Sequence, residues 1–184
     1  MKTEEIFKQI FTRMIKGLMV HEQFANYYDF LGLQGYRRCH EYHYVKENES
    51  YRKLSHYYIK KYNMLMIETS FDNPKIIPDG WYGYYRQDVD IKTKRQAVKD
   101  GLEKWVKWEK ETCKLYQDMY KELINIGEVG AAAKICELIQ DVEEELQIVE
   151  KYHLNKIAVD YDMTVIIEEQ KPLHCKYKQM IKEE

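Results

Sequence analysis

The sequence predicts an all-α protein: a four-helix bundle with a long crossover between its second and third helices and a short C-terminal fifth helix. Three observations predict it. Apolar residues recur at steps of three and four over long stretches, the signature of amphipathic helices. Only 8 Gly and 3 Pro occur in 184 residues, too few for the turns of a β-sandwich or barrel. Two short breaks and one long one divide the periodic segments, as two helix pairs joined by a crossover require.

The first helix is expected over about residues 3–31, with Ile6, Ile10, Met14, Leu18, Ala25 and Tyr28 on one stripe. Gly32-Leu33-Gln34-Gly35 reads as a tight turn. The second helix follows over about 36–66, with no Gly or Pro after Tyr36. Residues 68–91 hold Pro74, Pro78, Gly80, Gly83 and the aromatic run Trp81 to Tyr85, and form the expected crossover. Thr93-Lys94-Arg95-Gln96 has the form of a capping box and should open a third helix over 94–126. Gly127 and Gly130 end that helix, and a fourth is expected over 131–153 on the stripe Ala132, Ile135, Ile139, Val142, Leu146, Val149 and His153. A fifth, over 162–182, carries Pro172 as an expected kink or break.

Composition excludes several function classes. Lys plus Arg number 29 and Asp plus Glu 31, a net charge of -2, so the basic surplus of a nucleic-acid binder is missing. The pairs Arg37-Arg38, Arg52-Lys53 and Lys60-Lys61 read as a solvated helix face. No run of about 18 uncharged apolar residues is present, so no membrane span is expected. Cys39, Cys113, Cys136 and Cys175 are scattered without a Cys-x-x-Cys pair. With no signal-peptide pattern at the N-terminus, they point to a reducing cytoplasm. Cys39 and Cys113 fall on the bundle pattern as small apolar residues. The 17 tyrosines are expected to pack with their hydroxyls reaching the surface.

Chemistry, if any, resides in polar residues standing on apolar stripes. The second helix carries His40, His43 and Glu47 in register with Tyr36 and Leu54, and the third carries Glu109. Glu22 is the candidate on the first helix and Glu144 on the fourth, where Asp141, Glu143 and Glu145 compete. At 1.5 Å per residue, Glu22, His43, Glu47, Glu109 and Glu144 all lie roughly 15–30 Å from a bundle end, in one middle slab. An ionised carboxylate in a bundle core is costly unless paired or bound to a metal. Carboxylates with imidazole suit iron or manganese. The competing reading makes the histidines hydrogen-bonded structural groups and pairs Glu109 with a lysine. Glu150-Lys151-Tyr152-His153 also matches Glu-x-x-His, but at the expected end of the fourth helix.

The segment Gly32-Leu33-Gln34-Gly35-Tyr36 resembles the turn between the first two helices of ferritins. Laid over that turn, Glu47 falls on the glutamate of the ferritin Glu-x-x-His ligands, but Ser50 replaces the histidine. Gln147, three residues after Glu144, offers no histidine either. Residues 21–32 (HEQFANYYDFLG), 35–43 (GYRRCHEYH) and 152–158 (YHLNKIA) resemble a small family of ferritin-like proteins from prophage regions of Gram-positive bacteria. That likeness spans nearly the whole chain and implies one ferritin-like helical domain and a prophage origin rather than a chemistry.

Two functions follow as expectations. One is a phage-associated binding or interaction protein with a degenerate metal centre, whose aromatic loop faces a protein partner or a second subunit. The other is a carboxylate-bridged di-metal oxidoreductase or metal binder, holding iron or manganese on Glu22, His43, Glu47, Glu109 and Glu144.

Overall fold

In the computed structural model, which describes residues 1–65, 72–78, 81 and 89–183, the chain forms five helices and no strand among those residues. They are α1 (Thr3–Phe30), α2 (Gln34–Tyr62), α3 (Ile91–Asn125), α4 (Val129–Ala158) and α5 (Met163–Glu183). The expected crossover lies mostly outside the described residues, including Tyr82 to Tyr85 of its aromatic run.

Local chemistry explains where each helix stops. Gly32 takes φ +77°, where a Cβ would be strained, and Leu33 N–H then donates to the Tyr28 carbonyl at 2.8 Å. Gly127 does the same at φ +80°, with Glu128 N–H donating to Leu123 at 2.8 Å. Asn63, at φ 50°, ends α2 four residues before the expected boundary. α3 opens earlier than its expected capping box: Asp90 is the cap, its carboxylate accepting from Thr93 N–H at 2.6 Å. Gln96 turns outward to Asp100.

Gly35 belongs to α2 and not to the turn. A Cβ there would lie 2.6 Å from the Gln170 carbonyl and 2.8 Å from Leu173 Cβ, so it is the close-approach point for α5. α5 runs through Pro172 without a break, because its packing on α2 offsets the lost backbone hydrogen bond.

α1 packs against α2 across the tight turn, and α3 against α4. α1 also lies antiparallel to α3: Met1 reaches Glu122, Arg13 reaches Thr112, and Tyr28 lies on Gly101. At the far end of α2, Lys61 and Tyr62 bond Glu128 in the α3–α4 turn. Gln23 holds residues 74–76 against α1, donating to the Pro74 carbonyl at 2.6 Å and accepting from Ile76 N–H at 2.9 Å. Trp81 stacks edge-on with Tyr27 and Phe30.

Two apolar clusters fill the interior. One, near the α1–α2 turn, gathers Phe24, Tyr28, Leu31, Trp105 and Ile166; the other gathers Ile6, Phe7, Phe11, Leu123 and Ile135. Buried tyrosines depart from expectation: the Tyr28 hydroxyl is enclosed without a partner, and that of Tyr36 bonds Glu169 inside the protein.

Candidate metal centre

Between the two apolar clusters lies a polar layer supplied by α1–α4. Helical steps of three and four along α1 carry Met14, Gly17, His21, Phe24 and Tyr28 to one inward line, so His21 faces the axis and is fully buried. The same step along α4 carries Leu138, Val142, Glu145 and Val149 inward. α2 delivers His40, His43 and Glu47, and α3 delivers Trp105 and Glu109.

Three of the five sequence candidates meet here: His43, Glu47 and Glu109. The other two do not. Glu22 is exposed and accepts from Asn26 on the same helix at 3.2 Å. Glu144 is exposed at the mouth of a cavity that leads inward. Their neighbours His21 and Glu145 take the inward places. Leu18 on α1 and Ile139 and Leu146 on α4 are only half-buried, while the other apolar members of the expected stripes are buried. Phe24 with Gly17 on α1, and Leu138 on α4, were the residues that could have indicated the true seams.

The geometry is close. His21 Nε2 lies 3.3 Å from Glu145 Oε1 and 4.0 Å from Glu109 Oε1, and the three ligand atoms offered by these side chains all fall within 4.8 Å of one another. His21 Nε2 is buried with no hydrogen-bond partner, despite the proximity of both carboxylates. His43 Nδ1 sits 2.9 Å from Glu145 Oε2. Trp105 Nε1–H donates to Glu109 at 3.0 Å and to Glu145 at 3.2 Å, fixing both carboxylates. Behind His21, its Nδ1 lies 2.9 Å from His40 Nδ1, so one ring carries the shared proton. Glu47 is only half-buried as a residue, but its carboxylate lies deep, with Oε2 enclosed and unpartnered. Gly17 makes room for it: a Cβ there would come 2.5 Å from both oxygens. Below the layer, Arg13 donates to Thr112 Oγ1 and the Trp108 carbonyl, each at 2.7 Å, and lies over the Trp108 ring.

Burial and crowding set the charges. Desolvation pushes Glu109 and Glu47 well above the usual carboxylate range, reinforced by the negative charge of Glu145. Desolvation acts on Glu145 too, but His43, His21 and the hydrogen bond from His43 overcome it and hold its carboxyl low, at about 2. Burial opposes the charged form of His43, yet Glu145 and Cys39 outweigh it and raise the imidazole well above its ordinary value. Burial brings His21 down to about 4, and His40 falls well below normal for the same reason. Without an ion, His43 and Glu145 face each other as an ion pair, and burial favours the uncharged forms of Glu47, Glu109, His21 and His40.

The remaining sequence motifs lie elsewhere. Glu150 pairs with Lys110 at 2.8 Å and His153 faces the Tyr161 ring, so the Glu-x-x-His match takes no part in the layer. Ser50 lines the cavity, and Gln147 is exposed. Cys39 and Cys113 are buried thiols, while Cys136 and Cys175 are exposed. Cys39 stands close enough to His43 and Tyr177 to raise the proton affinity of both, a more polar role than expected of it.

No protein-family model matches the chain, and no curated protein is similar to it at a significant level.

Proposed function

We propose that the chain is a metal-binding protein on a ferritin-like bundle, with His21, Glu109 and Glu145 as the ligands of an iron or manganese ion. The observation that carries this reading is the convergence of one imidazole nitrogen and two carboxylates within 4.8 Å. Metal–ligand bonds of about 2.1 Å put ligand atoms on one ion roughly 3–4 Å apart. The unpartnered His21 Nε2 fits the group: a neutral imidazole lone pair beside two carboxylates is what a cation between them would satisfy. The hard oxygen donors with one nitrogen suit iron and manganese. An ion held there supplies Lewis-acid or one-electron chemistry. The chain's own residues orient it: Trp105 anchors both carboxylates, His40 fixes the His21 ring, and His43 neutralises Glu145.

The ferritin-like topology belongs to the same proposal. α2 ends beside Glu128, while α3 begins where Arg95 pairs with Asp160 in the α4–α5 turn, at the other end of α4. The end of α2 and the start of α3 therefore lie at opposite ends of the bundle, as a crossover requires.

A prophage-associated interaction protein with a degenerate centre is the second reading, in which the bundle meets a protein partner or a second copy. Its support is that burial favours the uncharged forms of Glu47 and Glu109, which lessens the layer's need for an ion. Metal content separates the two. Protein grown with iron and manganese is expected to carry about one ion per chain by elemental analysis. Glu145→Gln and Glu109→Gln should each lose it with the helical spectrum intact, whereas Glu144→Gln and Glu22→Gln should keep it. Metal-free wild-type protein, or a metal-replete Glu145→Gln variant, would overturn the metal reading.

A further inference from the structure

A cavity of about 190 Å³ opens from solvent and ends on His43, Glu47 and Glu145. All five helices line it, α3 through Tyr116, and its walls are mostly apolar: Met14, Leu138, Val142, Ile148 and Met180. Tyr42 and Tyr177 add ring faces. An apolar cavity of roughly 150 Å³ takes up benzene, so this one has room for a six-membered ring with a small substituent. Two methionines on its walls favour an aromatic ring, since a thioether adapts its shape and contacts ring edges.

Its deep end is polar and unsatisfied. His43 Nε2 and Glu47 Oε2 are both buried without a hydrogen-bond partner. Enclosed polar atoms in that state are costly, and a hydroxyl, able to donate and accept at once, relieves both. A charged group is unsuited to the place, because it would be buried without a free counter-ion, His43 being already paired with Glu145. The mouth gives no bias towards ions either: Lys46 and Lys176 are matched by Asp141 and Glu144. A neutral head is what these charges select.

We infer that the cavity binds a small neutral hydroxyaromatic molecule of the phenol class, its ring between Met14 and Met180 and its hydroxyl against His43 and Glu47. The site shares its inner wall with the proposed metal centre but does not require the ion.

Calorimetric titration of the full-length chain with phenol, toluene and benzoate, before and after chelator treatment, tests this. Phenol should bind at least tenfold more tightly than either analogue, toluene lacking the hydroxyl and benzoate carrying a charge. Ile148→Trp and, separately, Val142→Phe should each weaken phenol at least tenfold by filling the cavity. Ile148 is only half-buried, so its variant is expected to fold even where Val142→Phe does not. Benzoate binding as tightly as phenol would overturn the ligand class. Unchanged phenol affinity in folded Ile148→Trp would overturn the location, and no phenol binding by the wild type would overturn the inference outright. Phenol bound by a chain that takes up no metal would uphold it while the metal reading fell.

Discussion

Gly17 and Glu47 are thirty residues apart in sequence and touch in the core, and the contact has a measurable sign. Exchanging a helix-interior glycine for alanine ordinarily stabilises by about 1 kcal/mol. Here the added Cβ would stand 2.5 Å from both Glu47 oxygens, so that gain should be cancelled by displacing the carboxylate. Gly17→Ala is therefore expected to be neutral or destabilising in the wild type, and stabilising by about 1 kcal/mol in a Glu47→Ala background. Urea unfolding of the four proteins in that cycle reads the coupling; additive effects would mean that Glu47 does not lie on α1. The same scale separates Glu145 from Glu144. Adjacent glutamates on one helix differ by 100° of rotation, and that rotation puts one beside His21 and His43 and the other at the cavity mouth.

At the scale of elements, α5 completes α2. The first turn of α2 has no side-chain cap of its own. The Gln170 side chain supplies one from α5, its Oε1 accepting from Gly35 N–H at 3.0 Å and Tyr36 N–H at 3.2 Å. Gln170 is itself oriented by its own Nε2–H bond to the Ile166 carbonyl. Two buried amides lose their acceptor in Gln170→Leu, which should cost about 2 kcal/mol. A shift of the urea midpoint checks this, and an unchanged midpoint would show that water replaces the amide at no cost. Nearby, buried Lys156 of α4 pairs with Glu169 of α5, which also accepts from Tyr36 of α2, so a single carboxylate ties three helices together. Removing one partner of such a buried pair strands the other charge.

Across the whole molecule, an apolar cluster on each side of the polar layer makes that layer the electrostatic weak point. Glu47, Glu109 and His43 all have raised proton affinity when folded. The stability that the two carboxyls contribute is full below their unfolded value of about 4.5 and is lost as pH climbs through their raised values. His43 acts in the same direction from about 6.5 upward. The depressed groups act oppositely: His21 and His40 withdraw stability as pH falls below about 6.5, and Glu145 does so below about 4.5. Above about pH 6.5 only the first set changes, so the metal-free protein should weaken between pH 6.5 and 8.5. Manganese should reduce that loss by taking the place of the proton on Glu109. Urea melts at both pH values, with and without manganese, check it; a metal-free protein equally stable at both would sink the assignment of buried acids. On the outside, each basic pair of α2 has at least one member engaged with an acid: Arg37 with Asp29 and Glu41, Arg38 with Glu41, Lys53 with Glu49, and Lys61 with Glu128.

Periodicity and breakers in the sequence determined that the chain is helical, how many helices it makes and roughly where each lies. The α2 and α3 seams were legible because their polar members, His40, His43 and Glu47 on α2 and Glu109 on α3, stand in register with buried apolar residues of the same face. α1 and α4 were ambiguous for a physical reason. An apolar stripe about 100° wide leaves room for two adjacent seams, and a one-residue rotation exchanges Glu22 for His21 or Glu144 for Glu145. Only the neighbouring helices decide between them, through Gly17 receiving Glu47 and Trp105 reaching Glu145. Pro172 and Gly35 tell the same story: local rules read a break and a turn, and the packing of α5 on α2 made one the interior of a helix and the other part of a helix's first turn. Such contacts join residues from thirty to more than a hundred positions apart, and no local pattern records them.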